Sequence, residues 1–410
     1  MKRRLLTALL PTALLALCLL SGCVAASPEA AAGRAGDPAP GEGAAGLSQS
    51  AHPADSPGGT ETAGAAVVGT MPLRYAEQFS VEYRADGSAL LTVAGADRFL
   101  ILPADAPAPA APEPDARVLR RPLGGVYLAS SSAADFFVQL DSLSALRFTS
   151  TLPADWGIPE VRAALDAEQL LYAGKYSAPD FELLLEEGCT LAVENTMIFH
   201  SPDIREKLEA LGIPVLVERS SYETHPLGRM EWIKVYGLLL DREEEASRFF
   251  ERQLRLLESL DTQPAGGKTA AFFHINSVGA AVVRKPGDYV SRMIALAGGR
   301  YVFDTLPGAD ENNLSTMNMQ MEAFYAGARE ADVLIYNSSI AGELESLAQL
   351  LEKSPLLADF RAVQTGNVWC TEHDMFQKSS AAVTMIADFN TVLSAGPETP
   401  DRLTFLYRLK

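Results

Sequence analysis

The sequence is organised around residues 220–234, SSYETHPLGRMEWIK, and the helical pattern that follows them to about residue 260. Pro226 suits the first turn of a helix, and apolar residues then recur at helical spacing. After a weak point at Gly237, the pattern resumes in residues 241–260, where acidic residues crowd the end that the helix dipole makes favourable for negative charge. The stretch predicts a helical spine, residues 228–262, between two lobes.

Outside the spine, strands and helices alternate. Residues 117–227 and 263–410 each alternate short apolar strands with helices, a pattern typical of a largely parallel sheet covered on both faces. We therefore predict an α/β protein with two Rossmann-like lobes joined by a long helix. Ligands of such sheets bind at the carboxyl ends of the strands, which here would face a cleft between the lobes.

A small β-structure precedes the first lobe. Residues 79–93, FSVEYRADGSALLTV, place apolar residues on either side of Asp86 and Gly87, a turn pair that favours a hairpin. Residues 98–103, RFLILP, read as a third strand. Residues 67–116 are therefore predicted to form a β-meander appended to the first lobe.

The N-terminus carries the most specific short signal. Residues 1–22 carry three basic residues near their start and an apolar run that is short for a membrane span, and they end directly before Cys23. They resemble a bacterial lipoprotein signal, in which cleavage precedes the cysteine, so Cys23 would be lipidated. An ordinary secretory signal is the alternative. Residues 23–66, rich in Ala, Gly, Pro and Ser, predict a disordered tether.

Length and charge limit the possible partners. The 410 residues, 48% of them hydrophobic, can bury two substantial cores. Acidic residues outnumber basic ones, 52 to 34, for a formal net charge of -18. A phosphate backbone requires a concentrated basic face, so the composition argues against nucleic acid.

Four stretches carry a resemblance to a known family. They are VYLASSSAADFF at 126–137, LLYAGKYSAPDFELLLEEGC at 170–189, VLVERSSYETHPLGRMEWIK at 215–234 and DVLIYNSSI at 332–340. With the signal, tether, lobes and spine, they resemble substrate-binding lipoproteins of ABC importers, of the class whose lobes are joined by one long helix. That class carries ferric siderophores, haem or cobalamin.

The resemblance implies a receptor outside the membrane, anchored by its lipid. It would capture an iron complex, first of all a ferric siderophore, and deliver it to a permease and its ATPase. Haem and cobalamin are the alternatives; no intrinsic cofactor is expected, and the protein would be a monomer. An enzyme is disfavoured because the sequence has no nucleophile elbow, phosphate-binding loop or dinucleotide fingerprint.

Site residues follow in part from the same resemblance. Family members dock onto permease arginines through an acidic residue on each lobe, and the matching positions are Asp135 and Glu322. Ligand candidates are polar and aromatic residues in loops expected to face the cleft. They are Ser130, Ser131, Lys175, Tyr176, Tyr222, Arg229, Trp232, Arg284, Tyr289, Asn312, Asn313 and Trp369. Arg229 could bind a carboxylate in bidentate fashion or pair with Glu223 or Glu231 as scaffold. Trp232 could wall a flat ligand or lie in the core.

Two further alternatives stay open. A bare Zn or Mn ion could be bound by histidines and carboxylates spread over both lobes. The available residues are His200, His225, His274 and His373, with Glu223 and Asp374. Cys189 and Cys370 are expected to be buried thiols, although a disulfide between the lobes is also compatible with the sequence.

Overall fold

The computed structural model describes residues 65–107, 109, 113, 115–263, 265–306, 316–396 and 398–410. The predicted signal peptide, Cys23 and nearly all of the tether lie outside the described residues, as do Asn312 and Asn313. Within those ranges, no helix combines the length and apolar character that crossing a membrane requires.

The N-terminal sheet has more strands than the sequence predicts. Its strands are β1 (Val67–Thr70), β2 (Phe79–Arg84), β3 (Ala89–Val93), β4 (Asp97–Pro103) and β5 (Ala116–Arg121), hydrogen-bonded in that order. The expected hairpin turns at Gly87, which adopts a φ of 81° that glycine tolerates. Neighbouring strands are antiparallel except β4 and β5, which are parallel, so the sheet is not a simple meander.

The N-lobe is built on a parallel sheet. Its elements are β6 (Val126–Leu128), α1 (Ala134–Gln139), β7 (Leu146–Thr149), α2 (Pro159–Asp166), β8 (Leu171–Tyr172), β9 (Gly174–Lys175), β10 (Ala178–Pro179), α3 (Phe181–Glu186), β11 (Leu191–Glu194), α4 (Pro202–Ala210) and β12 (Val215–Val217). The strand order is β12-β11-β6-β7-β8, with all pairs parallel, and β9 and β10 form a separate hairpin. Strands β6, β11 and β12 are buried throughout, as a sheet covered on both faces requires.

The predicted spine consists of three consecutive linking helices, α5 (Pro226–Glu231), α6 (Ile233–Leu240) and α7 (Glu243–Glu258). Asp241 adopts the left-handed conformation between α6 and α7, with φ 60°, so the helix is interrupted there. Gly237 lies where the two helices approach closely, because a Cβ atom there would be 2.6 Å from the Cβ of Ala246. The weak point in the sequence pattern is thus a packing requirement.

The C-lobe contains a mixed sheet. Its elements are β13 (Thr269–Ile275), β14 (Ala281–Arg284), α8 (Tyr289–Leu296), β15 (Arg300–Tyr301), β16 (Thr316–Met319), α9 (Met321–Ala328), β17 (Val333–Tyr336), α10 (Ser338–Ala341), α11 (Leu347–Lys353), α12 (Arg361–Gln364), β18 (Val368–Thr371), α13 (Ala382–Leu393) and β19 (Leu406–Arg408). The order is β16-β14-β13-β17-β18-β19, with β15 also paired to β13. Central strands β13, β17 and β18 are parallel, and antiparallel strands flank them.

Three clusters of apolar side chains form the core. One joins the N-terminal sheet, one face of the N-lobe sheet and the linking helices; a second fills the other face of the N-lobe sheet; the third fills the C-lobe. Cys189 and Cys370 are both free thiols, Cys370 buried and Cys189 half-buried. The α/β fold class is confirmed, whereas the predicted domain boundaries stay predictions.

Candidate functional site

Buried carboxyl groups lie at the carboxyl ends of the N-lobe strands. Glu218 follows β12, and its Oε2 accepts a hydrogen bond of 3.2 Å from the Ser130 hydroxyl, which follows β6. Its Oε1 accepts a second bond, of 2.9 Å, from the Ser220 amide. Burial raises the pKa of Glu218, while these bonds and the nearby Arg229 charge act in the opposite direction. Ser130 therefore orients a carboxyl group and is not simply a free anchor for a ligand.

Glu194, the last residue of β11, is a different kind of carboxyl group. Its side chain is fully buried, and among the described residues neither of its oxygens has a hydrogen-bond partner. Burial raises its pKa to about 8. Because Glu194 is paired in register with Val217, its side chain lies on the Val217 face of the sheet, whereas Glu218 points to the opposite face. Glu194 is thus uncharged over much of the neutral range.

Arg229 connects the linking helix α5 to the C-lobe. Its guanidinium carbon lies 3.9 Å from the centre of the Tyr289 ring, so helix α5 meets the start of α8 through a cation–π contact. No described residue accepts a hydrogen bond from the Arg229 guanidinium, so its side-chain donors are available to another group.

Arg284 approaches the same aromatic ring from the C-lobe. Its guanidinium carbon is 5.6 Å from the Tyr289 ring centre and 5.0 Å from that of Phe376. Its Nη1 is 3.6 Å from Oδ2 of the buried Asp288. Burial raises the pKa of Asp288, although the charges of Arg284 and Arg229 oppose the shift. Asp288 also caps α8, because its Oδ1 accepts a 2.9 Å bond from the Val290 amide, and this bond fixes Tyr289 beside the arginines.

A narrow pocket with a cavity volume of about 20 Å³ opens beside this arginine–tyrosine contact. Its walls are mostly apolar side chains of the linking helix α5 and of the C-lobe, and they are rich in methionine. They are Pro226, Arg229, Tyr289, Met293, Met375, Phe376, Lys378, Ser379, Ala382 and Met385. Apolar walls with a few cationic groups are the kind of lining that small-molecule sites have, and a larger ligand would require the pocket to widen.

The segment that lines this pocket also bonds to the N-lobe. The Gln377 side chain donates a 2.7 Å bond to the Asp155 carbonyl and accepts a 2.8 Å bond from the Gly157 amide. The Ser380 hydroxyl donates to the Asp135 carboxylate. Three side-chain hydrogen bonds thus hold residues 377–380 across the cleft.

That contact corrects the expectation for Asp135. Its side chain is 4% exposed, and burial raises its pKa, so its carboxylate is not presented on the surface to permease arginines. The start of a helix suggested exposure, but a C-lobe loop covers it. Glu322 lies exposed in the first turn of α9, and its docking role stays a prediction.

Two other candidates lie in the core. Trp232 is fully buried, its Nε1 donates a 2.9 Å bond to Glu223, and its ring packs edge-on against Phe79. Trp369 is also fully buried, and its Nε1 donates a 2.7 Å bond to Asn367. Neither indole walls the cleft, because tertiary packing encloses both rings.

The remaining candidates surround the site more loosely. Lys175 is exposed and Tyr176 half-buried at the β9–β10 hairpin, where Tyr176 packs against the second N-lobe cluster. The guanidinium carbon of Arg219 lies 5.2 Å from the centre of the Tyr222 ring. Ser131 is half-buried in the turn before α1. The structure therefore brings together Arg229, Arg284 and Tyr289 and leaves these four apart from that cluster.

Sequence reasoning missed Glu194, Glu218 and Asp288. An available signal was an acidic residue directly at the end of a fully apolar strand, as in LAVE and VLVE. Histidines do not form a comparable cluster: among the described residues, no three His, Cys, Asp or Glu side chains are grouped so that they could hold a metal ion. Bare-metal binding gains no support from this arrangement.

Two α/β lobes, joined by helices that border a partly apolar pocket, define a bilobed binding protein. A family model described as periplasmic binding protein matches residues 138–374, more than half of the chain. The chain belongs to this family.

Similar proteins come from archaea and bacteria. An uncharacterized lipoprotein of Methanocaldococcus jannaschii is 27% identical over 229 residues, which cover 54% of this chain and 52% of that protein. The chain thus matches about half the length of this relative. A second uncharacterized lipoprotein of the same organism is 24% identical over 326 residues, 75% of this chain and 79% of that protein.

Solved structures share the fold. A periplasmic haem-binding protein of Vibrio cholerae superposes with a TM-score of 0.54 at 18% identity, over 65% of this chain and 98% of its own. A periplasmic haem-binding protein of Pseudomonas aeruginosa gives a TM-score of 0.53 at 17% identity, over 70% and 97% of the two chains.

Proposed function

We propose that this chain is the substrate-binding component of an ABC importer and captures an iron complex, of the ferric siderophore or haem type, between its lobes. The observation that carries the proposal is the cluster of Arg229, Arg284 and Tyr289, which places two cationic side chains beside an apolar pocket between α5 and the C-lobe. Anionic groups of a chelate would meet the arginines, and its organic frame would meet the methionine and aromatic walls.

Delivery requires partners that the receptor meets outside the membrane. The protein would hand its ligand to a permease driven by an ATPase, and a lipid on Cys23 would keep it at the membrane. Exposed Glu322 is the remaining acidic candidate for contact with the permease. The receptor itself would carry out no chemistry. Family membership and the lipoprotein names of its relatives support this role.

Binding of candidate ligands tests the proposal. The chain without its signal peptide, with Cys23→Ser, would be titrated by calorimetry with haemin, a ferric trihydroxamate, cyanocobalamin, Zn²⁺ and Mn²⁺. We expect saturable binding with a Kd below about 1 μM for haemin or the ferric trihydroxamate, or about −8 kcal/mol. Tight binding of a bare ion with no response to any chelate would overturn the proposal, and a response to cyanocobalamin alone would change the ligand.

Arg229→Ala should weaken binding of an anionic chelate by roughly 10- to 100-fold, since a charge-assisted hydrogen bond contributes about 1.5–3 kcal/mol. Arg229→Lys keeps the charge without the planar guanidinium group, so its affinity should lie between those of the native protein and Arg229→Ala. The same calorimetric titration measures both. Arg252→Ala is the matched control, because Arg252 also lies over an aromatic ring, that of Phe249, but on α7. Equal losses in Arg229→Ala and Arg252→Ala would contradict a direct role for Arg229.

A further inference from the structure

A loop of the N-terminal sheet is bound to the helix that carries Arg229. The loop, residues 72–78, connects β1 to β2. The fully buried carboxylate of Glu231, at the end of α5, accepts bonds of 3.0 Å from the Arg74 amide, 2.8 Å from that of Tyr75 and 3.0 Å from that of Ala76. The same carboxylate accepts a 2.7 Å bond from the Lys234 ammonium group.

A second buried carboxylate continues the arrangement. Glu223, just before α5, accepts bonds of 2.9 Å from the Glu77 amide and 3.0 Å from the Gln78 amide, besides the bond from Trp232. Five consecutive backbone amides of the 72–78 loop therefore donate to two carboxylates, one just before α5 and one at its last residue.

Packing adds to these bonds. The Tyr75 ring stacks on His225, the cap of α5, with centroids 4.6 Å apart. The Tyr75 carbonyl oxygen lies so close to Gly228 that a Cβ atom there would be only 2.8 Å away. The 72–78 loop thus covers α5 at Gly228, the residue next to Arg229.

We propose that the 72–78 loop is a positioning element of the ligand site, and that Glu223 and Glu231 are positioning residues that hold Arg229 against Tyr289. If the loop detached, both buried carboxylates would lose most of their donors, which a low-dielectric interior makes unfavourable. Loop and helix therefore move together. The loop lies outside residues 138–374, the part of the chain that the family model matches. The effect on a ligand rests on the proposed function; the coupling of loop to helix does not.

Two variants test the coupling by different means. Glu231→Gln keeps the shape of the side chain but removes its charge, and Gly228→Ala keeps every charge but adds a methyl group against the Tyr75 carbonyl. In the full mature chain, hydrogen exchange would be followed at the amides of residues 74–78 and of α5. We expect faster exchange in both segments for both variants, and affinity for haemin or a ferric trihydroxamate reduced by about tenfold or more.

A matched control separates positioning from general weakening of the fold. Gly327→Ala places a methyl group 2.6 Å from the Phe303 ring in the C-lobe helix α9, so it should lower the Tm without changing affinity or exchange in α5. Unchanged α5 exchange in Glu231→Gln, or an equal loss of affinity in Gly327→Ala, would overturn the proposal. If the native protein binds none of the probes, the proposed function fails, and the exchange experiment still decides whether the loop holds α5.

Discussion

Glu194→Gln is expected to abolish a loss of stability that the native protein undergoes as the pH rises from about 4.5 to about 8. The Glu194 side chain is fully buried and has no hydrogen-bond partner in the described part of the chain, so the folded state favours its neutral form. Below the pKa of the unfolded state, the carboxyl group is protonated in both states and its burial causes no pH-dependent loss of stability. Between the pKa of the unfolded state and that of the folded state, the free energy of unfolding decreases as the pH rises, and above both values it stays constant. Glutamine has nearly the same shape and does not ionise.

The size of the effect follows from the shift. Raising the pKa from 4.5 to about 8 corresponds to roughly 4 to 5 kcal/mol at a pH above both values. The free energy of unfolding of Glu194→Gln, minus that of the native protein, should increase by this amount between about pH 4.5 and 9. Urea unfolding, followed by the fluorescence of the buried tryptophans at several pH values, measures the difference.

The comparison between pH values cancels any constant contribution of the amide group. Leu191→Ala, on the same strand, carries no titrating group and should therefore lower stability by the same amount throughout the pH range. A Glu194→Gln difference that stays constant between acid and alkaline pH would show that the carboxyl group ionises freely in the folded protein.

The sequence predicted most of the fold because periodicity and turn chemistry are local. The alternation of strands and helices, the Asp86-Gly87 turn and the spine all follow from patterns within about 20 residues. The break at Asp241 was not predictable, because the close packing of α6 on α7 decides it. Strand β1 was missed since it is short and exposed, and β5 since its largely half-buried residues lack a clear apolar pattern.

The site was predicted less completely, for a physical reason. Arg229, Arg284 and Tyr289 were each candidates, but only tertiary structure brings them to one place. Its position at a helix start predicts an exposed Asp135, but a C-lobe hydroxyl donates to its carboxylate. The sequence offered Glu223 and Glu231 as scaffold partners of Arg229, and Glu223 also as a metal ligand. They bind backbone amides about 150 residues away, a distance over which local patterns carry no information.

Trp232→Ala is expected to lower the free energy of unfolding by about 3–5 kcal/mol or more, the range for removing a large buried aromatic side chain. The ring is fully buried against Phe79, with centroids 5.1 Å apart, so its removal leaves a cavity beneath the N-terminal sheet. It also removes the donor to Oε1 of Glu223. Urea unfolding monitored by circular dichroism measures the loss without depending on the tryptophan itself.

Trp232→Phe divides this loss into its two causes. Phenylalanine keeps most of the apolar contact but lacks the indole N–H. The free energy of unfolding should therefore fall by about 1–3 kcal/mol, because the buried Glu223 carboxylate loses one hydrogen-bond donor. That indole bond stabilises the ionised form of Glu223, whose pKa burial otherwise raises. The loss in Trp232→Phe should therefore be greater at about pH 8 than at about pH 4, where the carboxyl group is protonated. A Trp232→Ala variant as stable as the native protein would instead place the ring at an open surface, where it could wall a ligand.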